Sequence, residues 1–255
     1  MTKLFDLTGR VALVTGGSKG LGKAMARGFA EAGADIVISS RHEDELRAAA
    51  AEIGDGLNIR VRYFVADMLD RNAVRKLAAD ATQAFGHVDI LVNNAGTNFP
   101  QNLADTTLDK WDHAFELNVT SCMLLSQALA PQMMERKWGR IIYISSVLAL
   151  ASNPGRGPYS ATKAAVIGMC RAQALELGPF GVTVNCLAPG PFLTDLPKSL
   201  LTEEQKEAFA RRTALLRWGI PRELAGPALL LASDAGTYIT GTTLQVDGGM
   251  LCRTF

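Results

Sequence analysis

Tyr159 and Lys163 stand four residues apart in the run Pro158-Tyr-Ser-Ala-Thr-Lys163, and Ser146 precedes the tyrosine by thirteen positions. Side chains of these types can move a proton onto or off a carbonyl or alcohol oxygen. Four residues is just over one helical turn, so phenol and ammonium project from the same face. Pro158 suits the first position of a helix, which places Tyr159 in the first turn. There the positive end of the helix dipole and the Lys163 cation both favour phenolate, the form an acid–base group needs within reach near neutral pH. A surface tyrosine and lysine on an amphipathic helix would have the same spacing. The pair alone decides nothing, and the elements that must position it carry the argument.

Those elements alternate. Short apolar, β-branched runs occur at Val11–Thr15, Asp35–Ile38, Arg60–Val65, Val88–Val92, Arg140–Ser145, Val182–Leu187 and Thr243–Val246. Several are apolar on both faces, as strands of a helix-covered parallel sheet should be. Between them lie alanine-rich helical patterns at Leu21–Ala32, Glu43–Ile53, Arg71–Phe85, Thr107–Arg136, Tyr159–Leu177 and Arg222–Ala232. Strict βα alternation implies right-handed crossovers and an α/β, doubly wound, seven-stranded parallel sheet with helices on both faces. No linker or repeat divides the chain, so one domain over 1–255 is expected. Gly190–Thr213 breaks the rhythm: it is long for an αβ connection, holds Pro191, Pro197 and a mixed-charge helical stretch, and reads as a lid over 190–215 or as a static surface helix.

The chain has 255 residues, enough to bury roughly three quarters of the surface its unfolded form exposes. Its 26 basic and 25 acidic residues leave a net charge of +1 without blocks of like charge, which argues against nucleic acid or an anionic membrane as partner. His42, His87 and His113 lie far apart, and none has a cysteine at metal-ligand spacing, so no metal is expected. Cys122, Cys170, Cys186 and Cys252 show no paired spacing and read as buried free thiols of a reducing cytosol. With no apolar leader and no 18-residue apolar run, a soluble cytoplasmic protein is expected.

The first strand runs into Thr15-Gly-Gly-Ser-Lys-Gly-Leu-Gly22 and then a helix. Glycines at 16, 20 and 22 permit a tight turn, close approach of backbone to phosphate and close helix–strand contact. A pyrophosphate would then meet the free amides of the helix N-terminus. The spacing Gly-x3-Gly-x-Gly resembles that of the short-chain dehydrogenases/reductases, and the resemblance extends along nearly the whole chain. Asn93-Asn-Ala-Gly96 follows the fourth strand as the family motif does; Asn118 in Glu-Leu-Asn-Val, Ser146, Tyr159 and Lys163 match the four members of its catalytic tetrad. Pro189-Gly190 with Thr194 is similar to the stretch that contacts nicotinamide, and Gln245-Val-Asp-Gly-Gly249 to the closing strand.

The resemblance implies a Rossmann fold and hydride transfer between a nicotinamide cofactor and a carbonyl or carbinol carbon. Tyr159 would be the general acid/base, with Ser146 holding the reacting oxygen. Lys163 would assist the phenol and hold the nicotinamide ribose, and Asn118 would hold a relay water. Ser145 stands beside Ser146, but the family spacing to tyrosine selects Ser146. Cofactor contacts are implied at Gly16, Ser18, Lys19, Gly20, Leu21, Gly22, Ser40, Arg41, Asp67, Met68, Asn94, Ala95, Gly96, Tyr159, Lys163, Pro189, Gly190 and Thr194. Asp67 would contact adenine, or simply cap the strand end.

The second strand ends Ile38-Ser-Ser-Arg41, with no acid to hold a ribose 2′-hydroxyl. Arg41 and Lys19 could instead meet a 2′-phosphate, so NADP(H) is expected over NAD(H), unless both are ordinary surface cations. Glu43, Asp44 and Glu45 are assigned to the next helix N-terminus. The substrate pocket is expected between 97–102, 147–157 and the insertion, with Asn98, Gln101, Asn102 and Arg156 as polar anchors. Leu4-Phe-Asp-Leu-Thr-Gly9, Arg41 and Arg212-Thr-x4-Arg217-Trp-Gly219 resemble gluconate 5-dehydrogenase-like members, which implies a sugar-acid or polyol substrate. A 3-oxoacyl-carrier-protein reductase is the alternative, docking on Arg211, Arg212 and Arg217, diluted by Glu203, Glu204 and Glu207. A catalytically silent dinucleotide sensor is a third reading, against which stands the complete tetrad. The family is commonly tetrameric, so a homotetramer is implied.

Overall fold

A computed structural model describes residues 3–194 and 202–252. Its strands follow the apolar runs: β1 Val11–Thr15, β2 Asp35–Ser40, β3 Val61–Val65, β4 Ile90–Asn93, β5 Gly139–Ile144, β6 Val182–Pro189 and β7 Thr243–Val246. All pair in parallel in the order β3-β2-β1-β4-β5-β6-β7. The seven-stranded doubly wound sheet expected from the sequence is the fold.

Alternation along each strand feeds two cores. Val11, Leu13, Leu91 and Ile141 point to one face, against α3 (Arg71–Phe85), α5 (Ser121–Glu135) and α6 (Gly157–Leu177). Ala12, Val14, Val92 and Ile142 point to the other, against α1 (Gly20–Glu31), α2 (Glu43–Gly54) and α8 (Arg222–Ala232). Burial on both faces requires apolar residues at successive positions, and β1 is buried throughout.

The order of strands reverses between β1 and β4, where chain connections leave in opposite directions. A crevice therefore opens beyond Thr15 and Asn93, the usual place for a ligand in such sheets. The glycine-rich turn, Asn93–Gly96, Ser146 and Pro189–Gly190 all lie at the carboxyl ends of their strands.

Three boundaries differ from expectation in an informative way. The long helix expected over 107–136 is broken into α4 (Leu108–Phe115), a π-helical turn (Glu116–Thr120) and α5. Glu116 is held by a two-pronged bond to Arg71, at 2.7 Å on each arm, and the Asn118 side chain is drawn towards residue 97, so one extra residue enters the turn. β6 continues to Pro189 because β7 pairs with it there. β4 begins at Ile90: the Val88 amide donates to Gln132 Oε1 instead of a strand, while the Asp89 backbone still bonds to Val11 and Arg140 and its buried carboxylate accepts from the Val11 amide. In the insertion, α7 (Glu203–Ala210) opens with Thr202 and Gln205 capping each other reciprocally. Residues 195–201 of the expected lid, Pro197 among them, lie outside the described residues. Cys122, Cys170 and Cys186 are buried free thiols as expected, while Cys252 is exposed.

Candidate active site

Tyr159 is the third residue of α6, one later than expected because the helix opens at Gly157, with Pro158 second. Its ring lies 5.6 Å from Lys163 Nζ, and its hydroxyl makes no hydrogen bond among the described residues. Lys163 is buried, and its ammonium donates to the Ile144 carbonyl at the end of β5 (2.8 Å). A buried cation needs partners; here strand end and phenol ring supply them.

The two serines at the end of β5 divide the labour. Ser145 Oγ donates to the Lys163 carbonyl (2.8 Å) and ties α6 to the strand. Ser146 Oγ accepts from the Leu148 amide (3.1 Å), which leaves its own hydrogen free for a ligand oxygen. Behind them, Asn118 in the π turn accepts from the Thr97 amide (2.8 Å) and donates to the Thr97 carbonyl (2.9 Å) and Thr162 Oγ1 (3.0 Å). Thr162 in turn donates to the Tyr159 carbonyl (2.8 Å). Both amide hydrogens of Asn118 are thus committed, and it links the segment after β4 to the helix bearing Tyr159. Beside it, burial pushes the Cys122 thiol above its ordinary range, partly opposed by the Lys163 charge.

The glycine-rich turn is knitted to β4 by Thr15. Its hydroxyl donates to the Val92 carbonyl and accepts from the Asn94 and Ala95 amides, both at 3.0 Å. Asn94 Nδ2 donates to the Thr15 and Gly16 carbonyls. Gly16 has a φ of +62°, and a side chain there would meet Asn94; one at Gly22 would run into the Gly16 carbonyl. Only glycine permits this cradle, and the first amides of α1, which begins just beyond it at Gly20, have no partner within the helix.

A cleft of about 270 Å³ follows. It is lined by Gly16, Ser18, Lys19, Ser40, Arg41, Asp67, Met68, Asn94, Ala95 and Gly96, all expected from the sequence. Gly20 and Thr194 face each other in a neighbouring cavity, so these two lie on the far side of the turn. Leu21 packs into the core, Gly22 is buried, and Gly190 lies against Asp247 just beyond Pro189. Asp67 makes the strand-end cap weighed for it, its carboxylate accepting from the Leu69 amide (3.0 Å), and it also lines the cleft. Shape and glycine cradle fit a dinucleotide.

Four lining residues were not assigned from the sequence: His42, Glu45, Ala66 and Leu117. Glu45 stands in the first turn of α2 as expected, but its carboxylate also accepts from Lys19 Nζ (3.1 Å) and Ser18 Oγ (3.2 Å), and the lysine holds its pKa below the ordinary glutamate range. An acid four residues after Arg41, in the first turn of the next helix, is the signal that could have found it.

On the Ser146 side, a second cavity of about 620 Å³ has an apolar wall of Val147, Leu148, Leu150 and Ala151, as expected. Its polar groups are Ser152, Asn153, Arg212 and Gln245. The expected anchor Gln101 instead donates to the Asp105 carbonyl and bridges to Arg156, and Asn102 precedes a short 3-10 turn. Arg217 is bound to Glu223 through both terminal nitrogens (2.6 and 2.8 Å), so a docking partner would have to compete with that carboxylate.

Comparison with known proteins agrees with this geometry. A family model described as enoyl-(acyl carrier protein) reductase matches residues 16–251. The 3-oxoacyl-acyl-carrier-protein reductase of Vibrio cholerae serotype O1 is 39% identical over 245 residues, covering 96% of this chain and 98% of its own. The chain is a short-chain dehydrogenase/reductase. The gluconate 5-dehydrogenase of Gluconobacter oxydans, a further relative, is 36% identical over 249 residues, covering 97% of this chain and 96% of its own. A solved gluconate 5-dehydrogenase from Burkholderia cenocepacia, in complex with NADP and tartrate, superimposes with a TM-score of 0.92 at 36% identity, over 99% of each chain. This short-chain dehydrogenase/reductase is therefore an oxidoreductase acting on CH–OH groups. No helix of its described residues is long and apolar enough to cross a membrane, and no group of three His, Cys, Asp or Glu among them could hold a metal ion.

Proposed function

We propose that the chain interconverts a secondary alcohol and a ketone on a small hydroxylated acid or polyol, with NADP(H) and with Tyr159 as general acid/base. One observation carries the mechanism: a phenol without an internal hydrogen-bond partner, a buried ammonium against its ring and a serine hydroxyl with its hydrogen to spare meet at one strand end. A nicotinamide cofactor, when bound, supplies or takes up the hydride. In reduction Tyr159 gives its proton to the carbonyl oxygen, and in oxidation it takes the proton from the alcohol. Ser146 donates to that same oxygen and fixes it for transfer. Lys163 keeps positive charge beside the phenol, and Asn118 holds Thr97 and Thr162 in place so that α6 presents Tyr159 correctly. A water at Asn118 would donate to its side-chain or main-chain oxygen, since both amide hydrogens are used. Tyr159→Phe should abolish nearly all turnover while cofactor titration is unchanged; substantial residual activity would refute the assignment.

For the cofactor, the cleft has Arg41 and Lys19 but no acid at the end of β2, which supports NADP(H). Steady-state kinetics with both cofactors test this, and equal efficiency with NAD(H) would overturn it. For the substrate, Arg212 is the one cation lining the larger cavity and forms no ion pair among the described residues, which favours an anionic substrate such as a sugar acid. The gluconate-dehydrogenase relatives support the same reading. The second reading, a 3-oxoacyl-carrier-protein reductase, is favoured by the Vibrio relative; with Arg217 bound to Glu223, a carrier protein would find Arg211 and Arg212 among Glu203, Glu204 and Glu207. A panel of sugar acids, polyols and β-ketoesters read by NADPH absorbance separates the two.

The described flanks of 190–215 bring Thr194 to the glycine-rich turn and Arg212 to the cavity, which supports a covering role for this stretch within a single domain. Buried free thiols support a reducing cytoplasm. A homotetramer is the proposed assembly.

A further inference from the structure

The three carboxylates in the first turn of α2 are not spent alike. Glu43 and Asp44 both reach Arg47 on the outer surface, at 3.4 and 3.3 Å. Glu45 turns into the cleft, where one carboxylate oxygen takes Lys19 Nζ and the other takes Ser18 Oγ. The Lys19 side chain is 63% exposed and that of Glu45 40%, so this pair closes across the mouth of the cleft and can part without unfolding anything. Arg41 lines the same wall and has no acidic partner among the described residues. The place where a 2′-phosphate would sit therefore holds two cations and one internal anion.

We propose that Glu45 is a specificity-determining residue: it competes with the cofactor's 2′-phosphate for Lys19 and Ser18 and so holds the preference for NADP(H) over NAD(H) below what Arg41 and Lys19 would set alone. The inference rests on the NADP(H) reading above. A nucleotide without the 2′-phosphate leaves the Glu45–Lys19 pair standing, and its ribose hydroxyls meet a carboxylate able to accept from them. One that carries it must draw Lys19 away and bring an anion of nearly two charges beside an ionised carboxylate. Exposed ion pairs are weak, so the exchange itself is easy. What persists after it is the repulsion between phosphate and Glu45, which the neighbouring cations offset in part and do not remove. The alternative is a strut: Glu45 braces the glycine-rich turn, and losing it would weaken every nucleotide alike.

Glu45→Gln separates these, because the amide keeps the size and can still accept from Ser18 while the charge is lost. Binding is read by calorimetry, independently of turnover, with NADPH, NADH, adenosine 2′-monophosphate and adenosine 5′-monophosphate. The expected result is NADPH and the 2′-monophosphate bound on the order of tenfold tighter, with NADH and the 5′-monophosphate changed less than about twofold. Lys19→Gln should then cost more 2′-monophosphate affinity in the Glu45→Gln background than in the native chain, since the lysine is no longer shared. Unchanged affinity for the 2′-monophosphate, or parallel weakening of all four ligands, would overturn the proposal. Glu45→Ala, checked by thermal melting, gives a second test should the glutamine variant fold poorly. The native NADPH/NADH ratio judges the cofactor reading separately: a native preference for NADH with a tightened variant defeats that reading alone, and a native preference for NADPH with an inert variant defeats this one.

Discussion

Ser145 and Ser146 are chemically identical and adjacent, yet the fold gives them opposite work. Ser145 spends its hydrogen on the Lys163 carbonyl, whereas Ser146 keeps its hydrogen and offers it at the strand end. Ser146→Ala should therefore lower kcat by about 100- to 1000-fold, the usual cost of removing one donor at a reacting oxygen, with the melting temperature little changed. Ser145→Ala should show the reverse weighting: about 1 kcal/mol or more of stability lost from a buried tether, and a smaller effect on kcat. Denaturant titration and steady-state kinetics on both variants check the division, and a kcat loss in Ser145→Ala exceeding that in Ser146→Ala would reverse it. The sequence offered only the family spacing to choose between them, because which hydroxyl faces inward depends on where β5 ends.

At the scale of elements, the π turn at Glu116–Thr120 was not legible. Apolar periodicity runs unbroken from Thr107 to Arg136, and nothing local demands an extra residue. The demand is tertiary: Arg71 lies on α3, Thr97 follows β4 and Thr162 is on α6, and all three draw on this turn. Asn118→Leu would strand the Thr97 amide and carbonyl. A loss of about 2 kcal/mol or more in urea unfolding is expected, with faster hydrogen exchange at Thr97; unaltered exchange there would mean that the turn stands without its asparagine. The connection into α8 has its own lock, between Arg217 and Glu223. The guanidinium and the Ile220 amide hold the Glu223 carboxyl down to about 2. A folded-state value below the unfolded one, about 4.3, means the stabilisation is full above that unfolded value and is lost as pH falls towards about 2. Arg217→Gln should therefore be less stable than the native chain at pH 7, with the difference shrinking between roughly pH 4.5 and 2; a constant difference across that range would exclude this pair as its source.

Across the whole molecule, the parallel seven-stranded sheet and both helical layers were readable, since apolar β runs alternating with helical patterns admit few right-handed arrangements. Most of the residues that line the cleft beyond β1 and β4 were named from the sequence, because backbone turns and strand ends define it and glycine and asparagine mark these in the chain. Side-chain partners across elements were not, as Glu45, Gln101 and Arg217 attest: each had to be located in space before its partner was known. Assembly stands between these cases. Ala164, Gly168, Ala172 and Leu175 lie exposed along α6, the helix that also carries Tyr159 and Lys163. Leu175 is 81% exposed, and among the described residues nothing packs within 4 Å of where a Gly168 side chain would begin. A surface of small and apolar residues on a helix otherwise packed against the sheet permits close approach of a second copy, in keeping with the proposed homotetramer. Gly168→Arg distinguishes an interface from a merely bare surface. Within one chain it has room, and replacing a mid-helix glycine should stabilise by a few tenths to about 1 kcal/mol. In an assembly the same guanidinium would stand between two helices. Light scattering should give four chain masses for the native protein and fewer for the variant, with the helical circular dichroism of the two alike; a variant that keeps the native mass would place α6 outside every subunit contact.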